Sequence, residues 1–402
     1  MKKDISNAES FLIPLLLMGG DNLHYEEVLS TRGGTRYIRI RAGINKYFAK
    51  QFLVSNELKE NPRFLRRTFN KNPLGFEYSL LKVYNDNGAN VPRPVFHSPE
   101  LNTLIMEDFG EDTLEKRLLG ASEKRTMDLL NQTLIEMINF HKIARQHQAV
   151  FLNNNPLGIL KTSRLVERAL NYYSILLLER TELLEGVKPK LDGRTDLVRY
   201  FNGIAKELLV NSQPIHGDMS TYHVFFRPKG KGEEACFIDF GNPKFASTSF
   251  DVGDLLFSPG IYLSLENKLE VLDEYVVRAN QVPSRNILYK ASKDILFGER
   301  RRLCFAGIFE CLRRAARDRE ARIKYPKQSE YFVRKHPAYE NPLPHYADTS
   351  KQLLNFLIVN SDRYKLNKEE IKSLTSLNLV LGKAFAGAEE SNPKINFYRP
   401  AS

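Results

Sequence analysis

Two short motifs around one predicted β-hairpin constrain the fold of this chain more than any other feature. His216-Gly217-Asp218 stands before an apolar strand at residues 222–226, and Ile238-Asp239-Phe240-Gly241 stands at the end of a second apolar strand that begins at Ala235. The intervening sequence PKGKG, at residues 228–232, is a strong hairpin signal. The hairpin therefore predicts that Asp218 and Asp239 lie close together, although they are far apart in sequence.

Two carboxylates in this arrangement suit phosphoryl transfer. One orients the acceptor hydroxyl and takes its proton, while the other holds the magnesium ion that bridges the phosphates. Two solvated loop aspartates are the alternative interpretation, because Asp-Phe-Gly alone is a weak signal. The upstream His-Gly-Asp at matching spacing favours the phosphotransferase interpretation.

The same residues resemble the catalytic core of the aminoglycoside phosphotransferase and choline kinase superfamily, and the resemblance extends from about Glu27 to Asn280. It implies an α+β, bilobal protein-kinase-like fold, ATP and Mg²⁺ as cofactors, and a small-molecule hydroxyl acceptor. By position, Asp218 would be the catalytic base, His216 would brace the catalytic loop, and Asp239 would bind magnesium.

The resemblance also assigns a charged pair that would hold the nucleotide. Lys50, on the third predicted strand, would bind the α- and β-phosphates. Glu77, on a helix predicted at about residues 74–86, would pair with that lysine, and Glu57 and Glu60 are weaker candidates for its partner. The alternatives are an exposed strand lysine and a solvated helix glutamate.

Two more segments are predicted to contact the nucleotide. Gly33 and Gly34, between the first two strands, would let backbone amides approach the phosphates, although many hairpin turns contain two glycines. The Glu107 carbonyl and the Phe109 amide would pair with adenine, with Met106 behind the base. A buried strand end is the alternative for this last segment.

One position departs from the family pattern. Family members place an asparagine, the second magnesium ligand, five residues after the catalytic aspartate, and this chain has His223 there. Imidazole can bind a metal, but magnesium prefers oxygen. Either His223 replaces the asparagine, or one metal on Asp239 suffices, or the protein is a weakly active nucleotide-binding pseudokinase. An active enzyme is favoured, because Lys50, Glu77 and Asp218 are also present.

Two other side chains are predicted to be structural. Asp251, in the sequence DVGD at residues 251–254, matches a family motif in which an aspartate buttresses the catalytic loop. His141 lies on a predicted helix, where a satisfied buried histidine is the expected role.

The predicted elements divide the chain into three parts. Residues 1–110 form a β-rich N-lobe with one helix, and residues 111–381 form a helical C-lobe that carries the hairpin. Residues 382–402 contain Gly, Ala and Pro with little periodicity, which predicts a partly disordered tail.

Segments 107–111 and 306–318 resemble bacterial N-acetylhexosamine and N-acetylmuramate kinases, which implies an amino-sugar acceptor. Choline, homoserine, an amine-bearing antibiotic and a fructosamine are alternatives. Aminoglycoside pockets are usually acidic, since their substrate is polycationic. The arginine-rich character of this lobe therefore fits a neutral or anionic acceptor better.

The net charge of +11 raises nucleic-acid binding as a rival function, and eight arginines lie between residues 300 and 324. An apolar stripe on the same segment predicts instead a docked helix with its arginines as a solvated rim: Cys304, Ile308, Cys311, Leu312 and Ala315. Nucleic-acid binding is therefore disfavoured.

The eight-residue apolar run at 11–18 is too short for a membrane span and lacks a cleavage pattern, so it is predicted to be a docked segment rather than a signal peptide. The three cysteines have no metal-ligand spacing. These features predict a cytoplasmic protein without a membrane partner.

Overall fold

The computed structural model describes residues 23–30, 35–52, 73–154, 160–177, 195–230, 232–241, 243–280, 295–324 and 326–390. The predicted docked segment at 11–18 and the candidates Gly33, Gly34, Glu57 and Glu60 lie outside the described residues.

The N-terminal part is a five-stranded antiparallel sheet with strand order β1-β2-β3-β5-β4. Its strands are β1 (Leu23–Ser30), β2 (Thr35–Ala42), β3 (Asn45–Phe52), β4 (Pro94–Ser98) and β5 (Thr103–Glu107). Apolar and polar side chains alternate along β2, as expected of a strand that is buried on one face. Ile38 and Ile40 are buried, whereas Arg39 between them is only partly covered. Lys50 lies on β3, the third strand along the chain, as predicted.

The helix α1 (Pro73–Asp86) packs on β4 and β5 and buries Leu74, Leu80 and Tyr84. It ends at Asn87-Gly88, where Gly88 has a left-handed φ of 82° that glycine adopts without strain. The helix predicted at about residues 74–86 is thus confirmed, and it carries Glu77 beneath the sheet.

The rest of the described chain is mainly helical. Its helices are α2 (Leu114–Leu118), α3 (Glu123–Gln146), α4 (Gln148–Asn154), α5 (Thr162–Leu177), α6 (Thr195–Leu208), α7 (Ser249–Leu256), α8 (Leu265–Asn280), α9 (Ile295–Lys324), α10 (Pro326–Lys335), α11 (Leu343–Val359) and α12 (Lys368–Glu390). The long helix α9 packs against α5, α7 and α11. At Gly307 an added Cβ would lie 2.6 Å from the Phe257 ring, so glycine permits the close approach.

Two short antiparallel pairs interrupt the helices. The strands β6 (Gln213–Ile215) and β9 (Lys244–Ala246) form one pair, and β7 (Val224–Lys229) and β8 (Gly232–Phe237) form the predicted hairpin. A 3-10 turn at Thr221–His223 precedes β7, which therefore begins two residues later than predicted. The second strand ends at Phe237, three residues earlier than predicted, so Asp239 lies in a loop.

Three arginines of α9 correct the prediction of a solvated rim. Arg313, Arg314 and Arg319 are only 3%, 8% and 7% exposed. Buried carboxylates pair with the first two, and a backbone carbonyl oxygen accepts a hydrogen bond from Arg319. The apolar stripe predicted on the same helix is buried, so its docking is confirmed.

The tail predicted from Gly382 is helical as far as Glu390, because α12 continues through its alanine-rich end. Residues 391–402 lie outside the described part. No helix among the described residues is long and apolar enough to span a membrane.

Candidate active site

A cleft of about 1120 Å³ lies between the sheet and the helical part of the chain. The loop after β6 places Asp218 on its wall, and the loop after β8 places Asp239 there, so the two carboxylates face one space. Lys50, Met106 and Arg313 also line it. The sequence prediction that the hairpin brings the two aspartates to one site is consistent with this arrangement.

Lys50 connects the sheet, helix α1 and the hairpin loop. Its Nζ donates to Glu77 Oε1 at 2.7 Å and to Asp239 Oδ1 at 2.6 Å. Lys50 and Glu77 are 6% and 2% exposed, whereas the Asp239 side chain is 35% exposed toward the cleft. The structure therefore brings these three predicted residues together.

The backbone of the Asp-Phe-Gly loop is specialised for this contact. Asp239 adopts a left-handed φ of 67°, a conformation that costs about 1 kcal/mol or more for residues other than glycine and that functional sites tolerate. A Cβ added at Gly241 would lie 3.3 Å from Glu77 Oε2. Glycine at 241 thus leaves room for the Glu77 carboxylate against the loop.

Burial and charge have opposite effects on this triad. Burial alone would lower the pKa of Lys50, but Asp239 and Glu77 raise it above its usual value. Burial alone would raise the pKa of Asp239, but Lys50 holds it below its usual range. Lys50 is therefore a cation and Asp239 an anion near neutral pH.

His216 and Asp251 hold the loop that carries Asp218. The carboxylate of Asp251 accepts hydrogen bonds from the backbone N–H groups of His216 and Gly217, each at 2.8 Å, and lies 2.9 Å from His141 Nε2. His216 Nε2 lies 2.7 Å from the Ile238 carbonyl oxygen, to which it donates. These contacts join the Asp218 loop to the Asp239 loop.

The buried residues behind this loop behave as predicted. His141 is fully buried, and its Nδ1 lies 2.7 Å from the Tyr275 hydroxyl. Burial would raise the pKa of Asp251, but the hydrogen bond from His141 and the Gly217 amide keep it below its usual value. The structural roles predicted for Asp251 and His141 are consistent with this network.

His223 faces Asp239 with one ring nitrogen and the Asp218 backbone with the other. Its Nδ1 lies 2.7 Å from the Asp218 carbonyl oxygen, which can only accept, so Nδ1 carries the proton. Its Nε2 lies 3.6 Å from Asp239 Oδ2. Because burial lowers the pKa of His223, its imidazole ring is neutral near pH 7, and the lone pair of Nε2 lies beside that carboxylate.

A magnesium ion fits the donor set on the cleft wall. No group of three or more His, Cys, Asp or Glu side chains in the described ranges forms a protein-only metal cage. Magnesium in nucleotide sites is usually held by one or two carboxylates together with phosphates and water. The partly exposed, ionised Asp239 supplies such a carboxylate, with the His223 nitrogen next to it.

Arg313 is a site residue that sequence reasoning missed. Its Nη2 lies 3.2 Å from Asp218 Oδ1 and 3.2 Å from Asp254 Oδ1, while its Nε donates to Glu310. Burial would raise the pKa of Asp218, but Arg313, together with Arg317, holds it well below its usual range. Asp218 therefore stays ionised across the neutral range.

The strand β5 and the following loop place Met106, Glu107 and Phe109 on the cleft wall, and their contacts with adenine stay a prediction. The Arg227 guanidinium lies 5.4 Å from the centre of the Phe109 ring and 3.7 Å from Glu107 Oε1. At Gly110 the backbone turns with a left-handed φ of 80°. The segment thus forms an edge between the sheet and the helical part.

No protein-family model matches the sequence, and no curated protein matches it. Among solved structures, an ethanolamine kinase from Plasmodium vivax is similar, with a TM-score of 0.51 and 13% identity over 84% of this chain and 86% of the kinase. The chain has the fold of this ethanolamine kinase. The α+β, bilobal kinase-like fold predicted from the motifs is confirmed.

Two further solved structures are similar at lower scores. A spectinomycin phosphotransferase has a TM-score of 0.45 and 13% identity, with 85% of this chain and 98% of that protein covered. A microcompartment-associated aminopropanol kinase has a TM-score of 0.42 and 12% identity, with 89% and 100% covered.

Proposed function

We propose that this chain is an ATP-dependent phosphotransferase that moves the γ-phosphate of ATP onto a hydroxyl group of a small molecule. The observation that carries the proposal is the bridge from Lys50 to both Glu77 and Asp239, in one cleft with Asp218. The fold shared with an ethanolamine kinase adds support at the level of architecture.

Lys50 binds the phosphates in this proposal. Glu77 holds the Lys50 ammonium group in place, and Asp239 also pairs with that group while no nucleotide is bound. Asp239, with His223 beside it, would hold a magnesium ion, which neutralises phosphate charge when bound. The adenine would lie along Met106, Glu107 and Phe109, and the lobes would divide near Gly110, with residues 111–381 as the helical lobe.

Asp218 orients the acceptor. The acceptor oxygen attacks the γ-phosphorus, the bond from that phosphorus to the ADP oxygen breaks, and the hydroxyl proton passes to the Asp218 carboxylate. Because the transition state of phosphoryl transfer is loose, positioning matters more than the strength of the base. An ionised Asp218 held by Arg313 meets that requirement.

The amino sugars implied by the sequence are the first acceptors to test. The experiment measures ADP formation from ATP and Mg²⁺ with N-acetylated hexoses, ethanolamine and choline. Asp218→Asn should lower turnover by about 100-fold or more, a typical effect of losing general-base assistance. Asp273→Asn, which changes a half-buried aspartate paired with Arg300 outside the cleft, is the matched control and should retain activity.

Turnover with one acceptor that depends on Asp218 would establish the enzyme. Binding of ATP without turnover with any acceptor would favour the pseudokinase, in which His223 replaces a metal ligand at the expense of catalysis.

A further inference from the structure

The cleft wall next to Asp218 is strongly basic. Helix α9 contributes Arg313, Arg314 and Arg317 to it, and helix α10 contributes Lys335. Arg317 follows Arg313 by one helical turn, so the Cβ atoms of the two arginines lie about 6 Å apart along the helix.

Most of these charges already have partners. Arg313 and Arg314 share the buried carboxylate of Asp254, and Arg313 also contacts Glu310. By contrast, Arg317 is exposed on the cleft wall and has no hydrogen bond or ion pair within the part of the chain that the structure describes.

The carboxylates on this side are each paired with another arginine. Asp318, the next residue, receives Arg322 Nε at 2.8 Å and is already neutralised. Glu310 is buried, and its carboxylate is already paired with Arg313. Asp218 is in contact with Arg313.

A further arginine lies behind the same wall. Arg168 of helix α5 lies near Arg313 and Arg317. Burial lowers the pKa of Arg168, and repulsion from Arg164, Arg317 and Arg313 lowers it further. Arg168 therefore adds positive charge behind the part of the wall that carries Arg317. A cationic acceptor would be repelled there, and an anionic acceptor would be attracted.

We infer that the acceptor is an anionic hydroxyl compound whose carboxylate or phosphate group pairs with Arg317 while its hydroxyl approaches Asp218. This inference rests on the proposed phosphotransferase function. The separation of one helical turn between Arg313 and Arg317 suits a molecule of about monosaccharide size, with its anionic group and its reacting hydroxyl at opposite ends.

The test compares acceptors that differ in one anionic group. N-acetylmuramate is compared with N-acetylglucosamine for a carboxylate, glucose 6-phosphate with glucose for a phosphate, and ethanolamine serves as the cationic acceptor. The wild-type protein should show a kcat/KM at least about 10-fold higher for one anionic acceptor than for its neutral counterpart, the worth of one hydrogen bond between charged groups.

Variants then assign the preference to one side chain. Arg317→Ala should lower kcat/KM for the anionic acceptor by about 10- to 100-fold, and by at least about 10-fold more than for its neutral counterpart. Arg317→Glu should shift the preference toward ethanolamine. Arg199→Ala removes an equal charge from an exposed arginine of α6 outside the cleft and should change nothing.

Calorimetric titration with the same acceptors in the presence of ADP tests the anion site separately from the phosphotransferase activity. A preference for neutral or cationic acceptors, or an anionic preference that Arg317→Ala leaves intact, overturns the inference while the phosphotransferase stands. Anionic binding through Arg317 without phosphoryl transfer overturns the proposed function and leaves the anion site standing. Binding of no acceptor overturns the inference.

Discussion

Replacing Asp251 by asparagine removes one charge from a fully buried network while it preserves the size of the side chain. In the native protein, one carboxylate oxygen accepts from the Gly217 amide, and the other accepts from the His216 amide and contacts His141. In the variant, one of these positions becomes an NH₂ group that faces an N–H group. A buried backbone donor therefore loses its acceptor.

The expected cost follows from these contacts. Loss of a hydrogen bond to a charged group, with a buried donor left unsatisfied, costs about 2–5 kcal/mol of unfolding free energy. Because the folded-state pKa of Asp251 is depressed, its contribution is present above the unfolded value of about 4 and is lost as the pH falls through the folded value. The difference in unfolding free energy between wild type and variant should therefore become smaller at acidic pH.

The variant should also affect catalysis in a specific way. The amides of His216 and Gly217 position Asp218, and a shift of about 1 Å in a reacting group costs about 100-fold in rate. We therefore expect kcat to fall by about 10- to 100-fold while the KM for ATP is unchanged, since Lys50 and Glu77 are untouched.

Urea unfolding between pH 3 and 8 and steady-state kinetics provide the assay. Asp273→Asn is the control, and because its partner Arg300 forms a partly exposed ion pair, it should cost about 1 kcal/mol or less. An Asp251→Asn variant that unfolds like wild type and keeps its kcat would refute the bracing role.

Three further predictions concern the metal, acid stability and helix packing. His223→Asn should raise turnover with Mg²⁺ relative to Mn²⁺, because an amide oxygen suits magnesium better than imidazole does; an unchanged ratio would argue against His223 as a ligand. Burial lowers the pKa of His345 to about 4, below its unfolded value of about 6.5. Folding stability should therefore fall by up to about 3 kcal/mol as the pH drops from about 6.5 to 4, and His345→Gln should show less of this loss in denaturant titrations. Gly307→Ala should destabilise the protein by about 1–3 kcal/mol because its Cβ would meet Phe257, whereas Gly298→Ala on the same helix has room and should not, as thermal unfolding would reveal.

Local sequence signals predicted the sheet and the hairpin well. The alternation at residues 37–41 and the turn residues at 228–232 depend on neighbours a few positions apart, and the structure has strands and a hairpin there. Helix α10 was not predicted, because its ten residues are short of apolar side chains. Its Phe332 contacts Tyr222, with ring centres 5.6 Å apart, which is a contact between distant segments.

The residues of the candidate site also fall into those that local sequence predicts and those that only the tertiary structure brings together. Asp218 and Asp239 stand in recognisable motifs, and the hairpin between them links sequence directly to proximity. Arg313 reaches Asp218 across 95 positions, and only the docking of α9 on the catalytic loop creates that contact. A charged helix face predicts that its side chains are exposed. Arg313 and Arg314 are buried instead, because both form ion pairs with Asp254 of another helix, and a local sequence pattern does not contain such contacts.

The most direct test of the central claim is calorimetric titration of the protein with ATP in the presence and absence of Mg²⁺. We expect saturable binding that Mg²⁺ strengthens and that Lys50→Met weakens by about 10-fold or more, since the variant removes the cation that pairs with phosphate. Lys351→Met, which changes an exposed lysine of α11 outside the cleft, should bind ATP like wild type. Absence of ATP binding, or binding that Lys50→Met leaves unchanged, would contradict the account.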